Sequence, residues 1–279
     1  MSAAPLRRLV MGLLLAVIGG GTAFGGFLTS APGTAVDLQT RPGVTVRYAL
    51  FQPDAAPRAI AILFTGGEGR LEIPDAVPPD WEAGGNFLAR AREYFRRRGF
   101  VVAIVNVPSD HSGGYSGFRT SSGHAEDIAA VIADLRRRWP GTPVWLIGTS
   151  RGTISAANVA ARLQPPRGAD GLVLTSTVSK PPAGRRAPSR DDVFDIDLSQ
   201  IRVPTLITYH RDDGCDVVDQ DDAPRLQREM ANAPAKDLMV FDGGDPPQSK
   251  PCEARSAHGY FGIEGKVADA IADWMLTKR

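Results

Sequence analysis

The sequence predicts an α/β fold with a mostly parallel central sheet and helices on both faces, because short apolar runs alternate with amphipathic stretches. Each run is rich in Val, Ile and Leu and is bounded by turn residues. The strand candidates lie at 44–50, 59–64, 101–107, 143–147, 171–178, 204–209 and 237–241. Little or no cap domain is expected, because the polar, Pro-rich stretches at 71–85 and 180–200 are too short for one. The polarity of the second stretch suggests a small or open cover over the site.

The helices between the strands are predicted from apolar residues at helical spacing. The clearest one carries Ile128, Val131, Ile132, Leu135 and Trp139. Another begins at Phe87 and ends before Gly99, and a third lies near the C-terminus around Ile271. Arginine runs at 96–98 and 136–138 fall at helix ends, where the helix dipole favours cations, so we interpret them as structural rather than as phosphate sites.

Composition excludes several classes of protein. With 279 residues, 43% hydrophobic and 23% charged, the chain can bury a full core, which excludes disordered and fibrous proteins. Lys and Arg number 32 against 31 Asp and Glu, so the net charge of +1 gives no indication of a nucleic-acid partner. Two cysteines are too few for a zinc ribbon or a thiol relay, and no metal site is predicted.

The N-terminus predicts export. Arg7 and Arg8 precede an apolar run at 9–18 and a stretch of small residues, the pattern of a Sec-type signal peptide over residues 1–31. Cleavage is expected after Ala31 or Ala35, with the globular domain taken as 36–279 and the protein secreted or periplasmic. The alternative is a membrane anchor retained at residues 9–28, which the many glycines of that segment disfavour.

A candidate nucleophile stands at a turn between a buried strand and an Ala-rich helix. The turn reads Gly148-Thr149-Ser150-Arg151-Gly152. A serine at the apex of such a sharp turn needs glycine on either side, since a larger residue would collide with neighbouring backbone. The start of the following helix stabilises negative charge nearby.

This strand, turn and helix resemble the nucleophile elbow of the α/β-hydrolase superfamily, and the resemblance spans nearly all of the mature region. It implies that Ser150 attacks an acyl carbon and that an acid and a histidine follow along the chain. Asp212 and Asp213 stand at the acid's position after strand 204–209. Asp213 is preferred because a carboxylate followed by glycine forms a tight turn, and Asp212 remains the alternative. The implied histidine is His258.

The glycine-rich segment after strand 59–64 resembles the superfamily's oxyanion loop. The resemblance implies that the backbone amide of Arg151 and an amide at Gly66 or Gly67 bind the oxyanion. A dinucleotide-binding loop would need a third glycine at position 72, which is Glu72, and a helix directly after it, so that interpretation fails.

The function implied is a serine hydrolase that needs no cofactor and acts on a small-molecule ester or related acyl substrate. A carboxylic ester is the expected substrate class. The alternatives are an amidase or peptidase using the same three residues, and a non-catalytic binding protein with the same fold. Arg119, Arg151 and the pair at 185–186 are interpreted as solvated loop charges rather than as an anion site.

The two cysteines flank the implied acid and base. Cys215 follows Asp213 by two positions, and Cys252 precedes His258 by six. An exported protein with two cysteines most often pairs them, so we expect a disulfide between the two loops. The alternative is a pair of buried free thiols.

Overall fold

The computed structural model describes residues 1, 30–181 and 191–278, which form a mixed sheet of nine strands covered by helices. Most of the expected signal peptide at 1–31, and all of the alternative anchor at 9–28, lie outside the described residues. Within the described ranges, no helix has the length and apolar character needed to cross a membrane.

The sheet is mostly parallel, as predicted. Its strands are β1 Gly33–Arg41, β2 Val44–Phe51, β3 Ala59–Phe64, β4 Ala76–Val77, β5 Phe100–Pro108, β6 Val144–Thr149, β7 Gly171–Thr175, β8 Thr205–His210 and β9 Lys236–Phe241. They run in the order β4-β1-β2-β5-β3-β6-β7-β8-β9. All pairs from β5 to β9 are parallel, and only the β4-β1-β2 end joins by antiparallel pairing.

Helices cover both faces, which confirms the predicted architecture. They are α1 Phe87–Arg97, α2 Ser122–Arg138, α3 Gly152–Arg162, α4 Ala223–Glu229 and α5 Glu264–Thr277. Helices α1 and α5 share one apolar cluster, and α2, α3 and α4 share another. Alternate residues of β3 point to opposite clusters, Leu63 to the first and Ile62 to the second, as the pleat of a strand requires.

Two strands were not predicted, β1 and β4. Strand β1 is half-exposed at the antiparallel end of the sheet, so Val36 and Leu38 alternate with the polar Asp37 and Gln39 instead of forming an apolar run. Strand β4 has two residues and adds to the outer edge of β1.

The described part of the 180–200 stretch packs onto the body of the molecule. Val193 and Leu198 are buried in the cluster that covers the α2 and α3 face. Residues 182–190 of this stretch lie outside the described residues. In the part that is described, the chain forms no cap domain.

Candidate active site

The nucleophile candidate Ser150 occupies a strained turn between β6 and α3. Its φ of +54° lies in the left-handed region, which non-glycine residues adopt rarely and most often at functional sites. The Ser150 amide donates to the Thr175 carbonyl at 3.0 Å, and the Ser150 carbonyl accepts from the Thr153 amide at 2.9 Å. These hydrogen bonds to β7 and α3 hold the serine in the strained conformation.

The glycines on either side of Ser150 stand where no side chain fits. A Cβ on Gly148 would lie 2.5 Å from the carbonyl oxygen of Gly152. A Cβ on Gly152 would lie 2.1 Å from the carbonyl oxygen of Phe64, at the end of β3. The close contact of strand, turn and helix therefore requires glycine at both positions.

The acid and base candidates contact each other beside the ends of the parallel strands. Asp213 follows β8, and His258 lies in a short 3₁₀ turn before α5. His258 Nδ1 lies 3.0 Å from Asp213 Oδ2 and 3.3 Å from Oδ1, and both side chains are buried. The Cys215 amide donates to Asp213 Oδ1 at 3.0 Å, which fixes the carboxylate in its turn. Asp212, the alternative acid, is exposed.

His210, at the end of β8, supports the turn that carries Asp213. Its Nδ1 accepts from the Asp212 amide at 3.0 Å, and its Nε2 donates to the Gly243 carbonyl at 2.8 Å. Sequence analysis gave this histidine no role. The signal that could have found it is its place directly before the acid turn.

The second ring nitrogen of His258 forms no hydrogen bond to Ser150 in this structure, although both residues face one cavity. A carboxylate only accepts hydrogen bonds, so Nδ1 carries the proton toward Asp213, and Nε2 of the neutral ring is the free acceptor. Nε2 is buried and has no hydrogen-bond partner among the described residues. His258 and Ser150 line the same cavity of about 700 Å³.

The glycine-rich loop after β3 comes close to Ser150. A Cβ on Gly66 would lie 2.9 Å from Ser150 Cβ and 3.5 Å from its Oγ. Among the hydrogen bonds of the described residues, none is donated by the amides of Gly66, Gly67 or Arg151. These amides are therefore free to bind a ligand oxygen beside the serine.

Arg119 is buried, and the prediction that it is a solvated loop charge is wrong. The residue is 3% exposed, and its guanidinium lies 4.5 Å above the ring of Tyr115. Nη1 donates to Ser155 Oγ at 2.7 Å, and Nη2 donates to the carbonyls of Thr65 and Gly67 at 3.2 and 3.1 Å. Burial lowers the pKa of Arg119 to about 10, so it stays a cation at neutral pH.

The side chain of Arg151 does not carry a free charge either. Its Nη1 lies 2.7 Å from Glu68 Oε1, and this ion pair is partly buried at the edge of the cavity. The arginines at 185 and 186 lie outside the described residues.

The cavity beside Ser150 is lined by many glycines and by several polar side chains. Charged side chains at its edge include Glu68, Arg70, Glu253 and Arg255. Large apolar side chains are few among the lining residues, with Leu71 and Phe87 as the main ones, and both are largely buried behind the surface.

The two cysteines lie at disulfide distance. The Cys215 and Cys252 sulfurs are 2.10 Å apart and the Cα atoms 4.5 Å apart. The pair links the turn after Asp213 to the segment before His258, and Cys252 also lines the cavity.

Comparisons with known proteins give a family match over part of the chain and several structures of similar fold. The family model described as "Serine aminopeptidase, S33" matches residues 86–190. Among solved structures, a thermostable carboxyl esterase from Bacillus coagulans is similar at 13% identity and a TM-score of 0.61, covering 89% of this chain and 99% of that one. Est1E from Butyrivibrio proteoclasticus is similar at 14% identity and a TM-score of 0.58, covering 88% and 98%.

A third solved structure is similar over most of its length. XC6422 from Xanthomonas campestris, described as a serine hydrolase without a lid, is similar at 19% identity and a TM-score of 0.56, covering 87% of this chain and 94% of that one. At these identities the likeness establishes the fold. No curated protein matches the chain in sequence.

Proposed function

We propose that the chain belongs to the α/β-hydrolase superfamily and is a serine hydrolase that cleaves carboxylic esters by acyl transfer to Ser150. One observation carries the proposal. Ser150, at a φ of +54°, and the buried His258 line one cavity, and His258 is hydrogen-bonded to the buried carboxylate of Asp213. A nucleophile and a base oriented by a third group are the elements of this chemistry.

In the proposed reaction His258 Nε2 takes the proton of the Ser150 hydroxyl as its oxygen attacks the acyl carbon. Asp213 holds the ring through Nδ1 and stabilises the imidazolium that forms. The leaving alcohol takes the proton from Nε2 and departs, which leaves an acyl-serine. A water molecule, deprotonated by the same nitrogen, then releases the acid and regenerates Ser150.

The oxyanion formed at each step would be bound by the amide of Arg151 and amides of the loop at Gly66 and Gly67. These amides donate no other hydrogen bond among the described residues, and Gly66 lies against Ser150. Arg151 precedes α3, so the partial positive charge of the helix N-terminus adds to the attraction.

The lining of the cavity supports a small or polar ester rather than a long acyl chain. Burial of a long alkyl chain needs apolar side chains along its length, because each methylene contributes about 0.8 kcal/mol only when it leaves water. Backbone of glycines and the charged side chains of Glu68, Arg70 and Arg255 form much of the wall instead.

A second candidate is hydrolysis of amides or peptides with the same residues. It is favoured by the description of the matching family model, which names a serine aminopeptidase. An amine is a poorer leaving group than an alcohol, so the amidase reaction places a greater demand on proton donation by His258.

We also propose that the protein is exported. The Arg7-Arg8 pair and the apolar run after it support a signal peptide, and the cysteine pair at disulfide distance supports an oxidising compartment.

The test is labelling of the purified, oxidised protein with a fluorophosphonate, together with turnover of p-nitrophenyl esters and the matching anilides. We expect labelling at Ser150 and ester turnover faster than anilide turnover. Ser150→Ala abolishes both signals, His258→Ala lowers kcat by about 10⁶, and Asp213→Asn lowers it by about 10⁴, the effects known for loss of the base and of the acid of a triad.

Asp212→Asn is the matched control, because it changes the neighbouring carboxylate in the same turn, which is exposed. It should keep wild-type kcat within about threefold, as is usual for a surface substitution. If the folded wild-type protein is not labelled, it is a non-catalytic binding protein. If anilides are turned over faster than esters, it is an amidase. If Asp212→Asn lowers kcat more than Asp213→Asn does, Asp212 is the acid.

A further inference from the structure

We propose that Arg119 is a positioning residue that fixes the loop after β3, and with it the orientation of the oxyanion-binding Gly66 amide, through hydrogen bonds to the carbonyls of Thr65 and Gly67. This proposal deepens the proposed function, on which its catalytic consequence rests. It gives a role to a buried cation that the steps at Ser150, Asp213 and His258 do not use.

The planarity of the peptide bond connects these carbonyls to the amides on the other side of the loop. In a trans peptide unit the C=O and the next N–H point in opposite directions and rotate together. The Thr65 carbonyl points at Arg119, so the Gly66 amide points away from it, and the Gly67 carbonyl fixes the Glu68 amide in the same way. A flip of either unit would require its hydrogen bond to Arg119 to break.

The remaining peptide unit of the loop is held locally. The Gly66 carbonyl accepts from the Gly69 amide at 3.2 Å, which fixes the Gly67 amide in the same peptide unit. The Glu68 carbonyl accepts from the Tyr115 amide at 2.9 Å, on the segment that also carries Arg119. Because Gly67 has a φ of +58° and no side chain, the loop has little stiffness of its own.

Arg119 itself is held on two further sides. Its Nη1 donates to Ser155 Oγ on α3, the helix that follows Ser150. Its guanidinium stacks on Tyr115, whose hydroxyl donates to the Asn106 carbonyl at 2.9 Å. One planar group therefore bonds the helix behind the nucleophile to the loop that faces it, a geometry that lysine, with a single nitrogen, cannot reproduce.

Among the described residues Arg119 has no direct acidic partner, and the negative charges of Glu68 and Asp191 act on it from further away. In the part of the chain that the structure describes, Arg119 forms no ion pair, and its hydrogen bonds go to neutral oxygens. A buried, unpaired cation is costly to folding. Here it polarises two peptide units, which strengthens their N–H groups as donors.

The test compares Arg119→Gln and Arg119→Lys with Arg136→Gln, measuring kcat and KM on an ester and on its thiono analogue. Arg136, at the C-terminal end of α2, is the control: it also donates to two backbone carbonyls, those of Pro166 and Gly168, and it pairs with Asp170. We expect Arg119→Gln to lower kcat on the oxygen ester about 100-fold with little change in KM, the effect of losing one oxyanion donor. The sulfur of the thiono ester fits the amides poorly, so kcat on this substrate should fall less. The ratio of kcat on the oxygen ester to kcat on the thiono ester should therefore drop.

Arg119→Lys keeps the charge and should retain part of the activity and of that ratio. A merely structural role would instead lower kcat on both substrates by the same factor, in proportion to the loss of folded protein. Arg136→Gln would then show the same pattern as the Arg119 variants. That outcome, after correction for the folded fraction by circular dichroism, would overturn the proposal.

Hydrogen exchange gives a readout that does not depend on catalysis. Exchange of the Gly69 and Tyr115 amides, which hold the loop, should become faster in both Arg119 variants and stay unchanged in Arg136→Gln. Unchanged exchange at both amides would overturn the positioning role even in an active enzyme. If the wild-type protein shows no turnover but amide exchange is faster in the Arg119 variants, only the proposed function is contradicted.

Discussion

His124, on α2, is a histidine kept neutral by its surroundings. It is fully buried, both ring nitrogens lack a hydrogen-bond partner among the described residues, and its ring lies 4.8 Å from the ring of Tyr115. Burial, and then the nearby charge of Arg119, lower the pKa of His124 to about 3. The residue packs as an aromatic side chain, and its protonation opposes folding.

We expect His124→Leu to make the protein less sensitive to acid. Between about pH 6.5 and 3 the unfolded chain binds a proton at His124 that the folded protein does not, so stability falls as pH falls, by up to about 1.4 kcal/mol per pH unit. The variant lacks this slope. Because no hydrogen bond is lost, its free energy of unfolding at pH 7 should change by no more than about 1 kcal/mol.

Urea unfolding of both proteins at several values from pH 7 to pH 4 measures this difference. Parallel curves of unfolding free energy against pH would show that His124 is protonated equally in the folded and unfolded states. The prediction would then be wrong.

At the residue scale, the sequence predicted the surroundings of a side chain only where those surroundings come from residues nearby in the chain. The conformation of Ser150 depends on its two flanking glycines and on the strand and helix next to it, all of which are visible in a short window. The burial of Arg119 depends on Thr65 and on Ser155, which are distant in sequence. No local pattern distinguishes it from a solvated arginine, so its prediction failed.

At the scale of elements, the same distinction decides which strands were predicted. Strands β3, β6 and β8 are buried on both faces, and their apolar runs stand out in the sequence. Strand β1 has one half-buried face, and β4 is fixed only by its pairing to Gly33 and Thr34. Edge strands of this kind depend on tertiary contacts that a single sequence does not display.

The cysteine pair joins two elements of the candidate site, the turn after β8 and the segment before His258. Replacing both cysteines by serine should lower the free energy of unfolding by about 4 kcal/mol, because the bridge closes a loop whose ends are 37 positions apart. It should also lower the rate of Ser150 labelling, since the Cys215 amide bonds Asp213 Oδ1 and depends on the same turn.

Urea unfolding and fluorophosphonate labelling of the Cys215→Ser/Cys252→Ser protein test this expectation, with the oxidised and reduced wild-type protein as references. Cys252 is exposed, so a reductant has access to the pair. Equal stability of the oxidised wild type and the double variant would contradict the expected disulfide.

At the scale of the whole molecule, the parallel sheet explains why the candidate site could be placed before its geometry was known. Parallel strands end at one edge of a sheet, so the turns after β6 and β8, which carry Ser150 and Asp213, must lie near each other. The N-terminal boundary of the domain had no such constraint. It was placed between residues 31 and 35 from small residues alone.

For the proposed exported protein, the sheet suggests where a mature chain would begin. Gly33 pairs with Val77, Thr34 pairs with Leu50, and the Ala35 amide donates to the Asp75 carbonyl at 3.1 Å. Cleavage after Ala35 would remove the start of β1 and the partner of β4. We therefore expect the exported protein to begin before Gly33, so that the edge of the sheet is complete.

N-terminal sequencing of the exported protein and urea unfolding of two purified chains, 32–279 and 36–279, test this expectation together. The shorter chain loses about two backbone hydrogen bonds and the contact of Gly33 with Phe51, so its free energy of unfolding should be lower by about 2 kcal/mol. A mature protein that begins at Val36, with the two chains equally stable, would show that the fold does not need the first residues of β1.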